Sequence, residues 1–348
     1  AIVGMLEKLD PHSTYIPKEE VKKMNEPLEG SFEGIGIQFQ ILEDTLFVVQ
    51  TIAGGPSEKV GILAGDRIVY VNDSLIAGVK LRDSDVLRLL RGKKGTEVNV
   101  KILRRGVSGF IDFKIIRDKI PIYSLDAAYM ITDDIGYIKL NRFAATTLEE
   151  FQEALKKLKK KGLKSLILDL QGNGGGYLHA ASALADEFLS ENKIIVYTQG
   201  LHQLRSNSYA TRKGNFENGR LVVLVDETSA SASEIISGAV QDWDRGLIVG
   251  RRTFGKGLVQ KPLNLLDGSM IRLTISRYYT PSGRSIQKPY SEGKYEMKRE
   301  RLSKEFIERY NERKLIHEDS LLFPDSLRKA TKILKRMVYG GGGIMPDY

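Results

Sequence analysis

The order of apolar and polar residues along the chain divides it into stretches with different periods. Residues 1–26 carry apolar residues at helical spacing around a DPHSTYIP turn, which predicts a short helical lead-in. From Gly34 to about Arg117 the period becomes two, in short segments such as IGIQFQI and TEVNVKIL, with one helical stretch at 84–92. This pattern predicts a compact β-rich module with one or two helices.

Beyond residue 120, apolar strands alternate with amphipathic helices. Strands are expected at 135–143 and 164–170, and helices at 147–162, 178–189 and from about Ser231 to Asp244. Such alternation is typical of an α/β core in which helices cover the sheet. A hairpin that turns at Asp267-Gly268 follows, and a charge-rich amphipathic helical tail is expected from about Ser291.

The length of 348 residues and the 41% hydrophobic content allow more than one core. We therefore predict four parts, namely a helical segment at 1–28, the β-rich domain at 29–117, the α/β core at 118–290 and the helical tail at 291–348. The tail is compatible with a homodimer, and a helix that packs back on its own core explains it equally well.

Composition and charge exclude several classes of protein. The net charge of +9 comes largely from helix-like runs at 156–164 and 298–314, which we interpret as solvated helix faces, so no nucleic-acid partner is expected. The absence of cysteine excludes disulfides and thiolate chemistry. No apolar run approaches the ~18–20 residues of a membrane span, and the opening AIVGMLEKL lacks the organisation of a signal peptide.

Small hydroxyl residues lie between a buried strand and a helix in VVLVDETSASASEIISGAVQDW. Ser229, Ser231 or Ser233 would thus lie at a helix N-terminus, where free N–H groups can stabilise an oxyanion. Helix capping is the ordinary alternative. Glu234 is interpreted as a carboxylate favoured by the helix dipole rather than as an acid catalyst.

Two further segments suggest a site. Lys256 lies between two glycines, and Gln260 follows four residues later, on the same face of an extended strand. In LILDLQGNGGGYL a buried strand runs into glycines before a helix, so main-chain N–H groups can face a developing negative charge. A structural lysine and an ordinary glycine turn are the alternatives, and neither a Walker A nor a dinucleotide-binding spacing is present.

Together these features resemble the carboxyl-terminal processing peptidases, or tail-specific proteases, of peptidase family S41. The resemblance covers about residues 4–290 and rests on seven segments in the family's order: LDPHSTYI, GSFEGIGIQF, GGPSEKVGILAGDRI, ILDLQGNGGGYL, SASASEI, VGRRTFGKGLVQ and LTISRYYTPSGRSIQ. It implies a ClpP/crotonase-like α/β protease core with an inserted β-rich PDZ domain and helical terminal segments. It also implies a serine endopeptidase of the cell envelope or periplasm that needs no metal or cofactor.

The resemblance also assigns roles within the core. Ser231 matches the nucleophile, Lys256 the general base and Gln260 the residue that orients the lysine. Main-chain N–H groups of Ala232 and Gly175 match the oxyanion hole. A lysine is protonated at neutral pH, so this role requires that burial or a neighbouring cation lower its pKa.

The segment GIGIQF resembles the carboxylate-binding loop of a PDZ domain. Ile35, Gly36 and Ile37 would supply the loop amides, while Ile37 and Phe39 would line an apolar pocket for the last side chain of the ligand. The implied partners are protein or peptide substrates that bind through an apolar C-terminus.

Three alternatives stay open. A Ser/His/Asp triad would need one of the four histidines, of which His12 falls in the lead-in, His317 in the tail, and His179 and His202 nearer the core without a partner motif. A PDZ scaffold on an inactive core would not need Ser231 and Lys256. An acyl-CoA enzyme of crotonase type would leave GIGIQF without a role. The acidic pairs Asp242/Asp244 and Glu149/Glu150 lack a nearby histidine, so no metal is expected.

Overall fold

The computed structural model of the protein describes residues 2–211, 214–290 and 325–348. The chain forms two compact units, Ala1–Glu29 with Tyr123–Tyr348, and Gly30–Ile122. The smaller unit extends five residues past the predicted end at 117, because the exit strand pairs with the entry strand of the same unit. The predicted lead-in at 1–28 is part of the larger unit.

Within the described residues, helices and strands alternate as follows. The helices are α1 (Ile2–Leu6), α2 (Lys18–Glu29), α3 (Pro56–Val60), α4 (Asp83–Leu90), α5 (Thr147–Lys159), α6 (Leu178–Asp186) and α7 (Ala232–Asp242). The strands are β1 (Thr14–Ile16), β2 (Ser31–Gly34), β3 (Ile37–Leu42), β4 (Thr45–Thr51), β5 (Arg67–Val71), β6 (Ser74–Leu75), β7 (Glu97–Leu103), β8 (Ile111–Ile116), β9 (Asp118–Pro121), β10 (Leu125–Met130), β11 (Ile135–Leu140), β12 (Ser165–Asp169), β13 (Ile194–Gln199), β14 (Ser206–Tyr209), β15 (Arg220–Val225), β16 (Leu247–Gly250), β17 (Leu258–Asn264), β18 (Met270–Tyr279), β19 (Arg328–Ala330) and β20 (Met337–Tyr339).

The first sheet of the larger unit has the order β10-β11-β12-β15-β16. Its strands are parallel from β11 to β16, and their apolar side chains, such as those of Leu168 and Val223, pack with side chains of α5, α6 and α7 into one buried core. This confirms the predicted α/β class. Because β12 and β15 are parallel neighbours, their carboxyl ends lie at one edge of the sheet, which brings the glycine-rich loop and the serine loop together.

The second sheet of the larger unit has the order β1-β18-β13-β14, with β17 also paired to β18. The predicted hairpin at Asp267-Gly268 is the β17–β18 hairpin, in which Gln260 lies opposite Thr274. The lead-in contributes β1, which pairs Thr14 with Arg272. The N-terminal segment and the Lys256–Gln260 segment are thereby fixed to the same strand.

The smaller unit is a sheet of order β3-β4-β5-β7-β8, with β6 paired to β5, and with α3 and α4. A separate pair, β2 with β9, joins the entry and exit of the unit. Leu46, Val48 and Val98 belong to its fully buried core. Strand β3 is an edge strand, since β4 is its neighbour on one side alone.

The predicted helical tail needs a correction where the structure describes it. Residues 291–324 lie outside the described residues, whereas residues 325–348 form a 3-10 turn and the β19–β20 hairpin instead of an α-helix. Glycines 340–343 and Pro346 disfavour a helix there. The last residues pack within the larger unit, where Ile344 is buried and the N–H of Gly250 donates to Tyr348 O (2.9 Å).

Candidate active site

Only one of the three candidate serines has a side chain that is not fully buried. Ser229 and Ser233 are buried, and their hydroxyls donate to main-chain carbonyls, of Leu170 (2.8 Å) and Asn173 (2.9 Å) respectively. Ser231, by contrast, is half-buried, and it adopts φ 56° and ψ −108° immediately before α7. Positive φ is rare and costly outside glycine, and it accompanies sharp turns that expose a nucleophile.

Lys256 is held in a position in which its charge is disfavoured. Its Nζ donates to Oε1 of Gln260 (3.0 Å), and a β-bulge between Val259 and Gln260 redirects this part of β17. Burial lowers the pKa of Lys256, and nearby Arg272 lowers it further, against opposing effects of Asp10 and Glu234. The neutral amine, which is the form a general base needs, is favoured accordingly.

The main chains of the serine and lysine segments meet at one hydroxyl. The single hydroxyl proton of Tyr278 on β18 is shared between the carbonyl of Ser231 (Oη–O 3.0 Å) and the carbonyl of Lys256, both of which lie within hydrogen-bond distance. Tyr278 is itself only 1% exposed, so this hydroxyl is fixed in position. It brings Ser231 and Lys256, which lie on different elements, to one place.

Glu234, in the first turn of α7, binds both the serine segment and the lysine segment. The sequence predicted only a carboxylate favoured by the helix dipole. Its fully buried carboxylate accepts hydrogen bonds from the N–H groups of Ser231 (2.8 Å), Gly255 (2.7 Å) and Lys256 (2.9 Å), and from the Thr253 hydroxyl (2.6 Å). Burial raises the pKa of Glu234 to about 7, against the effect of these donors. The spacing of Ser231 and Glu234 is that of a capping box, which predicts the hydrogen bond from the Ser231 N–H to Glu234. It does not predict the three hydrogen bonds that Glu234 accepts from the lysine segment.

The glycine-rich loop after β12 contacts Ser231 closely. A Cβ on Gly175, whose φ is +103°, would lie 2.9 Å from Ser231 Cβ and 3.1 Å from Ala232 N, so only glycine fits. The N–H of Gly175 donates to Asn173 Oδ1 (2.9 Å). Ala232 is the first residue of α7, where N–H groups have no partner within the helix.

The histidines of the described residues lie in different surroundings. His12 lies beside Lys256, because Gln260 Nε2 donates to the His12 carbonyl. Burial and, next, the nearby Lys256 lower the pKa of His12 to about 4 against the opposing effect of Asp10, which favours the neutral imidazole. His179 and His202, expected nearer the core, are exposed, and His317 lies outside the described residues.

The predicted peptide-binding loop lies before and on strand β3. Ile35 is buried in the core of the smaller unit, its carbonyl accepts a hydrogen bond from the N–H of Ser57 (3.0 Å), and Gly36 has φ +74°. Ile37 and Phe39 are half-buried on one face of β3, alternating with exposed Gln38 and Gln40. An edge strand that follows a glycine turn is the arrangement to which an extended peptide can add.

Comparison with known proteins agrees with this arrangement. The family model described as "Peptidase family S41" matches residues 134–295, and the model described as "PDZ domain" matches residues 34–115. A carboxy-terminal-processing protease of Bartonella bacilliformis is 39% identical over 292 residues, which are 82% of this chain and 66% of that protein. Carboxy-terminal processing protease CtpA of Bacillus subtilis is 37% identical over 83% of this chain and 61% of its own length.

A solved structure described as photosystem II D1 C-terminal processing protease is 32% identical, covers 82% of this chain and 78% of its own, and gives a TM-score of 0.49. The two family models and the curated relatives show that the chain belongs to peptidase family S41 and carries a PDZ domain. It spans between three-fifths and two-thirds of the length of the two curated relatives.

Membrane-spanning helices and metal-binding clusters are both absent from the described part of the chain. No helix there is long and apolar enough to span a membrane. The same residues contain no cluster of three or more His, Asp or Glu side chains that could hold a metal ion.

Proposed function

We propose that the protein is a serine endopeptidase in which Ser231 is the nucleophile and Lys256 the general base. The observation that carries this proposal is the convergence of the two segments on Tyr278 and Glu234, which bind the main chain of both residues. The lowered pKa of Lys256 supports the role of a base, and the committed hydroxyls of Ser229 and Ser233 leave Ser231 as the candidate nucleophile.

The chemistry follows from the donors and acceptors of these groups. A neutral amine has two N–H bonds and one lone pair, so Lys256 can donate to Gln260 while its lone pair takes the proton of the Ser231 hydroxyl. The serine oxygen then bonds to the scissile carbonyl carbon, and the oxyanion is stabilised by the N–H of Ala232. The resulting ammonium protonates the leaving amine, and water repeats the sequence on the acyl-enzyme.

An N–H from the glycine loop is the second proposed oxyanion donor. The N–H of Gly175 would have to exchange its bond to Asn173 Oδ1 for the oxyanion. Oxyanion donors typically contribute ~10²–10³ in turnover, which is more than the cost of one neutral hydrogen bond.

We further propose that the PDZ domain selects substrates by an apolar C-terminal tail. The amides of Ile35, Gly36 and Ile37 would hold the terminal carboxylate, while the peptide adds along β3 with its last side chain near Ile37 and Phe39. The half-buried apolar face of β3 supports this preference. The names of the relatives, carboxy-terminal processing proteases, agree with it.

The experiment compares cleavage of one unfolded protein that ends either in apolar residues or in two aspartates. We expect Ser231→Ala and Lys256→Ala to abolish cleavage. Replacement of Lys261, an exposed lysine on β17 next to Gln260, by alanine should leave cleavage unchanged. Replacement of the apolar tail should raise KM more than it lowers kcat. Retained cleavage in Ser231→Ala would refute the nucleophile, and tight tail binding without cleavage by the unaltered chain would favour a scaffold.

A further inference from the structure

The turn at residues 10–13, which we call the Asp10 turn, is built around one buried carboxylate. Asp10 is 5% exposed and accepts hydrogen bonds from the N–H of His12 (2.8 Å), the N–H of Ser13 (3.0 Å) and the Ser13 hydroxyl. Two successive N–H groups on one carboxylate fix the peptide planes between them. The direction of the His12 carbonyl is thereby determined.

The Asp10 turn is anchored to the strand that also supports Gln260. Thr274 Oγ1 donates to Asp10 Oδ1 (2.9 Å), and the N–H of Thr274 donates to Ser13 Oγ (3.1 Å). Thr274 is also the register partner of Gln260 in the β17–β18 hairpin. One residue of β18 consequently sets the distance between the turn and Gln260.

The carboxamide of Gln260 has one accepting end and one donating end, and both are used. Oε1 accepts from Lys256 Nζ (3.0 Å), and Nε2 donates to the His12 carbonyl. Reversing the amide would set its oxygen against the His12 carbonyl oxygen. It would also direct its NH₂ group at Lys256, where it would either repel an ammonium or occupy the lone pair of a neutral amine.

We propose that the Asp10 turn is a positioning element of the active site, whose His12 carbonyl orients the Gln260 amide and so keeps the lone pair of Lys256 available to Ser231. This inference rests on the proposed Ser/Lys function and deepens it. It gives the N-terminal segment, 248 residues from Gln260 in sequence, a specific part in the reaction.

The test is a double-mutant cycle in the full chain. Ser13→Ala removes the Thr274 and Asp10 bonds of one hydroxyl without changing charge, and Gln260→Ala removes the amide through which the turn acts. Thr14→Ala is the matched control, because its exposed hydroxyl bonds only the adjacent carbonyl at 3.4 Å. We measure kcat, KM and the thermal midpoint for each variant on an unfolded protein substrate.

We expect Ser13→Ala to loosen the turn and lower kcat about 3- to 10-fold, the effect of losing the one hydrogen bond between the His12 carbonyl and Gln260, with KM unchanged. In the Gln260→Ala background the same substitution should change kcat less than about twofold, because the coupled residue is gone. The positioning role would be overturned if the two substitutions lowered kcat independently, so that the fold-losses of the single variants multiplied in the double variant. An unchanged kcat in Ser13→Ala would overturn it as well. If Gln260→Ala retains full activity, the inference fails while the dyad stands, whereas activity in Ser231→Ala or Lys256→Ala refutes the proposed function itself.

The pH profile gives a second readout. The charged or titratable groups around Lys256 are Arg272, Asp10 and Glu234, with His12 and Lys288 nearby. Asp10 raises the pKa of Lys256, so Asp10→Asn as a purely electrostatic change would shift the rising limb of kcat to lower pH and keep the plateau. A positioning role predicts a lower plateau in both Asp10→Asn and Ser13→Ala, whereas an unchanged plateau in the two variants contradicts it.

Discussion

Replacing Glu234 by glutamine tests whether one buried carboxylate joins the serine and lysine segments. Glutamine keeps the shape but supplies one accepting oxygen in place of two. Each carboxylate oxygen accepts two hydrogen bonds, Oε2 from the N–H groups of Ser231 and Lys256, and Oε1 from Gly255 and Thr253. Whichever way the amide is oriented, two buried donors then lose their acceptor.

The expected change in the free energy of unfolding has two parts, which depend differently on pH. Each buried donor left without an acceptor costs about 1–3 kcal/mol, so the substitution costs about 2–6 kcal/mol where the wild-type carboxyl is largely protonated. The wild-type carboxyl, in turn, has a pKa of about 7 when folded against an ordinary 4.5. The folded state then binds more protons than the unfolded state between these values, so the unfolding free energy falls as pH rises through this window, by about 3 kcal/mol.

The assay is urea unfolding of the wild type and Glu234→Gln between pH 4.5 and 8. The other titrating groups are shared by the two proteins, so the difference between their unfolding free energies isolates Glu234. We expect the variant to be less stable at pH 4.5 and to recover about 3 kcal/mol relative to the wild type by pH 8. Turnover should fall at least about tenfold at every pH, because the two main chains lose their common acceptor.

Glu227→Gln provides the matched control. This carboxylate lies on the loop that precedes α7, but its side chain is 61% exposed and pairs with Arg251 at the surface. It should change the unfolding free energy by less than about 1 kcal/mol, as expected for an exposed ion pair. Parallel pH dependences of the wild type and Glu234→Gln would refute the reasoning, as would unaltered turnover in the variant.

Three other substitutions, two of them with a matched control substitution, test contacts of the two sites. Gly175→Ala should cost about 2–4 kcal/mol in urea unfolding and abolish cleavage, because its Cβ would lie 2.8 Å from the Ala230 carbonyl at φ +103°. Gly172→Ala, with positive φ but open space, should cost only about 1 kcal/mol. Tyr278→Phe should lower kcat with KM unchanged and destabilise the protein by about 1–3 kcal/mol. A rise in KM alone would contradict the role of Tyr278 in holding the main chains of Ser231 and Lys256. Gly36→Ala should weaken binding of an apolar-tailed peptide to the Ser231→Ala protein, measured by fluorescence anisotropy, whereas Gly54→Ala, which has open space, should not.

The sequence predicts the α/β class well because the periods of its apolar residues are local. The burial alternation of β7 and the apolar face of α5 follow directly from residue spacing. The prediction of a helical tail to residue 348 is wrong at its end because it was extended from a local pattern. The charge-rich stretch at 298–314 suggested a helix, but a helix is disfavoured at glycines 340–343.

The selection of one serine among three depends on distant contacts. The partners of Ser229 and Ser233, the carbonyls of Leu170 and Asn173, lie 59 and 60 residues away in sequence, so no local pattern shows which hydroxyl is committed. The same holds for His12, which the spacing assigned to a lead-in. Only the pairing of β1 with β18 brings it to Lys256.

The Ser/Lys chemistry is tested most directly by trapping the acyl-enzyme. An unfolded substrate is mixed with the enzyme, quenched in acid within milliseconds to seconds, and the adduct is located by peptide mass mapping over pH 6 to 10. We predict an adduct on Ser231 that increases with pH, with a midpoint below the ordinary lysine pKa of 10.5, and that is absent in Lys256→Ala. An adduct on another residue, or equal acylation of Ser231 in Lys256→Ala, would contradict the assignment.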